Sequence, residues 1–148
     1  MNAQNKRNNV LEDIRFSTKI KIASMWTSFM FLYAYVDYFH LYMPGSIENI
    51  LAGKVFVFDI SYGFLSIAMT LVAIPVLMIF LSIVLPAGLN RWLNMIVATL
   101  YIPYMLFNLV GDAWLHMYVA AAVEVVLLLL IIGHAWKWPR LALKVENT

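Results

Sequence analysis

Cysteine does not occur in the 148 residues, which excludes a disulfide scaffold, thiolate metal sites and membrane redox chemistry through cysteine pairs. Charge is nearly as scarce. Only 12% of residues are charged and 64% are hydrophobic, against roughly 25% and 45–50% in soluble domains. Neither a water-soluble fold nor a disordered chain fits that ratio. A glycine-rich phosphate loop, Gly-x-Ser-x-Gly and His-Glu-x-x-His are missing as well, so no familiar catalytic motif organises the chain. The formal net charge of +2 is too small, and the basic residues too clustered at segment ends, for nucleic acid to be a partner.

In place of charge there are long apolar runs. Between Asp59 and Arg91 lie 31 uncharged residues, and between Arg91 and Asp112 another 20, lengths that cross a bilayer. The pattern predicts an all-α integral membrane four-helix bundle with spans at about 22–42, 60–85, 92–110 and 113–136, each sufficient for a core of about 30 Å at ~1.5 Å per residue. Barrel strands would alternate apolar and polar residues, whereas residues 125–132 are apolar at every position. Pro86 and Gly88, followed by Leu89, Asn90 and Arg91, read as turn chemistry that makes spans two and three a tight hairpin. Residues 1–19 form an N-terminal arm, 20–138 the membrane domain and 139–148 a tail.

Nine of the ten lysines and arginines flank one side of these spans, and only Lys54 lies on the other. The positive-inside rule therefore places both termini in the cytoplasm and the protein in the cell inner membrane. Trp92, Trp136 and Trp138 would mark the inner interface, and Tyr38, Tyr42, Trp114 and Tyr118 the outer. Span one is too long for a cleaved signal peptide and no small-x-small site follows it. In the loop 43–59, Ser46 is placed to cap a short helix over 47–52 that Gly53 closes. Val10, Leu11 and Ile14 could rest an amphipathic turn on the cytoplasmic leaflet.

Ionisable groups within spans are costly and should face the interior with partners. Glu124 is the deepest, near the midplane of span four, and its expected partner is a tyrosine hydroxyl from Tyr33, Tyr101 or Tyr104. Such a bond would be worth about 0.6–2 kcal/mol. Trp26, Met30, Tyr33, Asp37 and His40 share one face of span one; Asp112, His116, Ala120 and Glu124 share one face of span four; Tyr101, Tyr104 and Asn108 follow the same spacing on span three. Brought together, Asp37, His40, Asn108, Asp112 and His116 would sit above Tyr33, Tyr101, Tyr104 and Glu124 as a ligand-binding polar pocket opening outward. His116 is the expected partner of Asp37. The plainer reading leaves His40 and Asp112 as headgroup-level residues at helix ends, and His134 as the same at the inner interface. Asp37-x2-His40 and Asp112-x3-His116 have spacings a metal could use, but the Glu-x-x-His pairs of di-iron bundles are absent. Both histidines also lie at the membrane edge, so neither metal nor haem is expected, and no cofactor.

The stretch Asp37-Tyr38-Phe39-His40-Leu41-Tyr42-Met43-Pro44-Gly45, with Ser24-Met25-Trp26-Thr27-Ser28 before it and Ala135-Trp136-Lys137-Trp138-Pro139 at the end, resembles a family of small bacterial four-span inner-membrane proteins catalogued only as a domain of unknown function. The resemblance covers about residues 11–139. It implies the architecture and brings no activity, substrate or cofactor. The residues themselves support a non-enzymatic membrane protein that binds a small or lipophilic ligand, or a partner membrane protein, through the outward pocket. The competing readings are a proton-coupled transporter subunit using Glu124 and a membrane enzyme using the Asp/His cluster. The expected partners are the lipid bilayer, such a ligand and a second copy of the chain.

Overall fold

The computed structural model describes residues 14–55, 58–110 and 113–140. The protein is mostly helical, and its four long helices fall on the four apolar segments. These are α1 (Thr18–His40), α3 (Tyr62–Val84), α4 (Ala87–Phe107) and α5 (Leu115–Trp136), with a short α2 (Ser46–Leu51) after α1. A two-residue antiparallel pair, β1 (Lys54–Val55) with β2 (Phe58–Asp59), precedes α3. Most of the N-terminal arm, including Val10 and Leu11, lies outside the described residues, as does Asp112.

Serine hydroxyls start two of the long helices. Ser17 accepts from the Ile20 amide and Ser61 from the Phe64 amide, at 3.4 and 3.1 Å, so each satisfies one amide left open in a first turn. In the loop the expected cap is displaced by one residue. Gly45, at φ 83°, is the N-cap of α2, and Ser46 is already helical and buried. A left-handed entry favours glycine over serine, and Gly53, at φ 76°, reverses the chain after α2 for the same reason.

One end of the molecule carries the 41–61 connection (the loop end); the other carries the start of α1, the turn between α3 and α4, and the end of α5 (the terminal end). α1 packs side by side with α3 and α5, and α5 with α4. α1 and α4 meet instead through large side chains. Trp26, Phe29 and Tyr101 are buried together, with Trp26 and Phe29 edge-on to each other at 5.7 Å and to Tyr101 at 6.3 and 6.1 Å. Such pairs contribute about 0.5–1.5 kcal/mol each beyond their buried area.

The turn between α3 and α4 is tighter than expected, consisting only of Leu85 and Pro86, and the two helices approach each other sparsely. α4 begins at Ala87, five residues before the expected span, so Asn90 and Arg91 are helical and do not form the turn. Two prolines explain this register. Pro75 lies inside α3 and has no N–H for the carbonyl of Leu71 four residues back; the Tyr101 hydroxyl of α4 donates to that carbonyl at 2.5 Å. Pro86 likewise leaves the carbonyl of Ser82 without its helical donor, and Asn90 Nδ2 donates to it at 2.6 Å. Lys19 Nζ donates to the carbonyls of Ile83 and Leu85 at 3.1 and 2.6 Å, closing the end of α3 from α1.

Asn94, one turn after Asn90, completes a network with no solvent exposure. Its Oδ1 accepts from Trp26 Nε1 at 2.7 Å and from the Ser82 hydroxyl at 3.2 Å, while its Nδ2 donates to Asn90 Oδ1 at 2.6 Å. A single asparagine thus ties α1, α3 and α4 together at the terminal end.

If Tyr101 serves the carbonyl that Pro75 frees, Tyr101→Phe should destabilise the protein by about 1–3 kcal/mol, the cost of an unpaired buried acceptor. In a Pro75→Ala background the restored backbone N–H should reduce that loss by at least half. Unfolding of the four variants in detergent measures the coupling, and equal losses in both backgrounds would contradict the assignment.

Candidate functional site

Burial is distributed unevenly along the helices. The buried residues of α1 end at Phe29, and those of α3 begin only at Pro75. The loop-end halves of both helices therefore have no buried side chain. α5 differs, with Met117, Ala120, Ala121, Glu124, Leu128, Ile131 and Ala135 buried at helical spacing from end to end. On α4 the buried face continues through Tyr101 to Met105. At the loop end α4 and α5 keep a buried face, and α1 meets them there through half-buried side chains such as Tyr33, whose hydroxyl bonds that of Tyr104.

Glu124 lies on the buried side of α5, 4% exposed, and its Oε1 has no hydrogen-bond partner. The expected tyrosine bond is not formed. Tyr33 and Tyr104 pair with each other through their hydroxyls at 3.2 Å, and the Tyr101 hydroxyl is used on Leu71. A tyrosine hydroxyl has one proton to donate, and Tyr101 has committed its own to a carbonyl that has no other donor. Asp37 is exposed on α1, yet near enough to Tyr33 and Glu124 to act on both electrostatically. The tyrosines continue the aromatic core, with Tyr33 stacked on Phe29 at 6.3 Å and Tyr104 edge-on to Tyr101 at 5.7 Å.

Nearer the loop end, His116 is half-buried with its Nε2 buried and unpartnered, and it stands close enough to His40 for the two rings to interact electrostatically. No hydrogen bond or ion pair joins it to Asp37, which overturns that expected pairing. Shared helical spacing selects a face but not which residue on the next helix stands opposite, and α5 turns His116 toward His40 and the Trp114 ring, 6.4 Å away. Asn108 is the C-cap of α4 and half-buried. Of the nine expected site residues, Tyr33 and Asp37 stand near Glu124, Tyr104 is joined to Tyr33, His40 and His116 form a second group, and Tyr101 belongs to the core. Asp112 lies outside the described residues. Among the described residues, no three His, Cys, Asp or Glu side chains are grouped to hold a metal ion.

At the terminal end His134 Nδ1 bonds the Leu130 carbonyl at 2.9 Å and borders a shallow groove of about 450 Å³ with Phe16, Ile20, Lys21, Ser24 and Met25. Arg91 stacks over Trp92 and Trp136 at 5.6 and 5.8 Å. The most fully buried polar residues, Ser82, Asn90 and Asn94, are ones that sequence reasoning missed. Asn90 and Asn94 share the helical spacing that leads on to Ala98, Tyr101 and Met105, and that was the available signal.

The chain matches the profile of a family of unknown function, DUF6326, over residues 13–144. It belongs to that family. The match spans every described helix and agrees with the resemblance carried by the Asp37–Gly45 and Ala135–Pro139 motifs. Neither a curated protein nor a solved structure matches the chain.

Because Glu124 Oε1 is buried without a hydrogen-bond partner, Glu124→Met should leave stability unchanged or raise it by about 1–2 kcal/mol, since an unpaired buried polar group costs more than an apolar one of similar size. Asn94→Leu should instead lose about 2–4 kcal/mol by stranding Trp26 Nε1 and Asn90. Unfolding midpoints of the two variants check both signs, and a marked loss for Glu124→Met would show a partner for the carboxyl.

Proposed function

We propose that the protein is a four-span integral protein of the inner membrane with both termini cytoplasmic, and that it binds a small or lipophilic ligand in a polar cleft at its outer, loop end. The membrane reading is supported by α3 and α5, which have mean hydropathies of 2.7 and 2.5 over spanning length. Only 17% and 33% of those apolar windows are buried within the protein. A core helix of a soluble fold would be mostly covered, so the remaining apolar surface calls for lipid. Topology follows from the nine-to-one asymmetry of lysine and arginine.

One observation carries the binding reading. Glu124 is a buried carboxyl whose Oε1 has no hydrogen bond, whereas the fully buried polar side chains of α3 and α4, Asn90, Asn94 and Ser82, are hydrogen-bonded. An ionisable group kept within a membrane at that cost is a functional-site candidate by default. The outer half of α1 has no buried side chain, with Asp37 exposed and Tyr33 half-buried, and is where a ligand would approach. A proton-coupled transporter subunit is the second reading, favoured by the electrostatic contact between Asp37 and Glu124, which could pass a proton inward in two steps.

The chain contains no native cysteine, so single cysteines test the cleft directly. An impermeant maleimide added to intact cells should label Asp37→Cys and Gly45→Cys, and should fail to label Ala98→Cys in the core or Asn147→Cys at the cytoplasmic end. Labelling of Asn147→Cys from outside would overturn the topology, and protection of Asp37→Cys would overturn the cleft.

A further inference from the structure

Resting on the reading of this face as a ligand cleft, we propose that its ligand is a monovalent organic cation, an ammonium on an apolar or aromatic body, held by Glu124 and Asp37 and walled by Tyr33 and Tyr104. Two carboxyls interact here, one exposed and one 4% exposed, and neither forms an ion pair with a lysine or arginine among the described residues. Lys19 is engaged by the carbonyls at the end of α3, and Arg91 by Trp92 and Trp136, both at the opposite end of the helices. The groups near Glu124 are Tyr33 and Asp37 from α1, with the Tyr104 hydroxyl of α4 bonded to that of Tyr33, and His40 and the half-buried His116 form a separate pair. A site built this way is short of positive charge and of strong donors, so a cationic donor is the ligand chemistry that completes it.

The walls decide between an organic cation and a metal ion. Calcium takes six to eight oxygen ligands and magnesium a partly hydrated octahedron, and a zinc site needs three or more grouped His, Cys, Asp or Glu side chains, which do not occur among the described residues. Two carboxyls with two tyrosine hydroxyls already bonded to each other at 3.2 Å do not provide the oxygen set. Aromatic faces do suit an ammonium, which they attract through the ring quadrupole. Tyr33 stacked on Phe29, Phe29 edge-on to Tyr101, and Tyr101 to Tyr104 form a continuous aromatic surface whose Tyr33 stands near Glu124. The apolar body of the ligand would lie along the loop-end half of α1, where no side chain is buried.

Benzyltrimethylammonium and its neutral isostere neopentylbenzene separate charge from shape. Binding to the purified full chain in detergent, read by calorimetry and by thermal shift, should be measurable for the cation and at least about tenfold weaker for the isostere. Glu124→Gln should weaken the cation by about tenfold or more and leave the isostere unchanged. Asp37→Asn should act in the same direction by less, and serves if Glu124→Gln folds poorly. Equal binding of the two probes, unaffected by either substitution, would overturn the cationic ligand and leave a lipophilic cleft standing. Displacement of the ammonium by micromolar calcium would overturn the organic class. Binding of neither probe would remove the cleft reading as well.

Discussion

A carbonyl that loses its helical donor in apolar surroundings must find another, and α4 is positioned by that requirement. Pro75 and Pro86 free the carbonyls of Leu71 and Ser82, and both are met by side chains of one helix, Tyr101 and Asn90. These residues are three turns apart on the buried face of α4, so satisfying both fixes its rotation and its height against α3. Asn94 then falls on Trp26, which sets α1 against the same frame. Each unmet carbonyl would cost on the order of 1–3 kcal/mol. That penalty is comparable to the margin of a small protein's stability, so the polar donors of α4 matter as much as its apolar surface.

The consequence for function is a division of the molecule by height. Toward the terminal end the helices are tied by hydrogen bonds and aromatic contacts, and the buried residues of α1 and α3 are all there. Toward the loop end only α4 and α5 keep a buried face, and the ionisable groups of α1 and α5 stand beside it. Glu124 is placed at this boundary, 4% exposed and with its Oε1 unpaired. If it serves a ligand as proposed, the unpaired carboxyl lowers stability in exchange for binding.

Much of the architecture was readable from the order of apolar residues. The four apolar segments are four long helices, and Glu124, a lone charge in the last of them, is buried. The pairings were not readable. Tyr33, Tyr101 and Tyr104 are the candidate partners of Glu124, but Tyr101 is claimed by the carbonyl that Pro75 frees and Tyr33 and Tyr104 bond each other, while His116, the expected partner of Asp37, faces His40. Spacing assigns residues to a helix face, whereas the partner across the interface depends on helix rotation, which here is set by the two prolines. Asn90 was read as part of a turn because Pro86 and Gly88 stand before it, yet Pro86 starts α4 as readily as it ends α3. The same proline that misplaced the boundary is the reason Asn90 is buried.

Infrared difference spectroscopy of the carboxyl groups tests most directly whether Glu124 is held for a ligand. Saturating the full-length protein in lipid with an organic ammonium should change a carboxyl band, and that change should vanish in Glu124→Gln while persisting in Glu48→Gln, a residue exposed on the loop helix. A carboxyl band that is identical with and without the ammonium, in a protein shown to be folded, would contradict the central role given to Glu124.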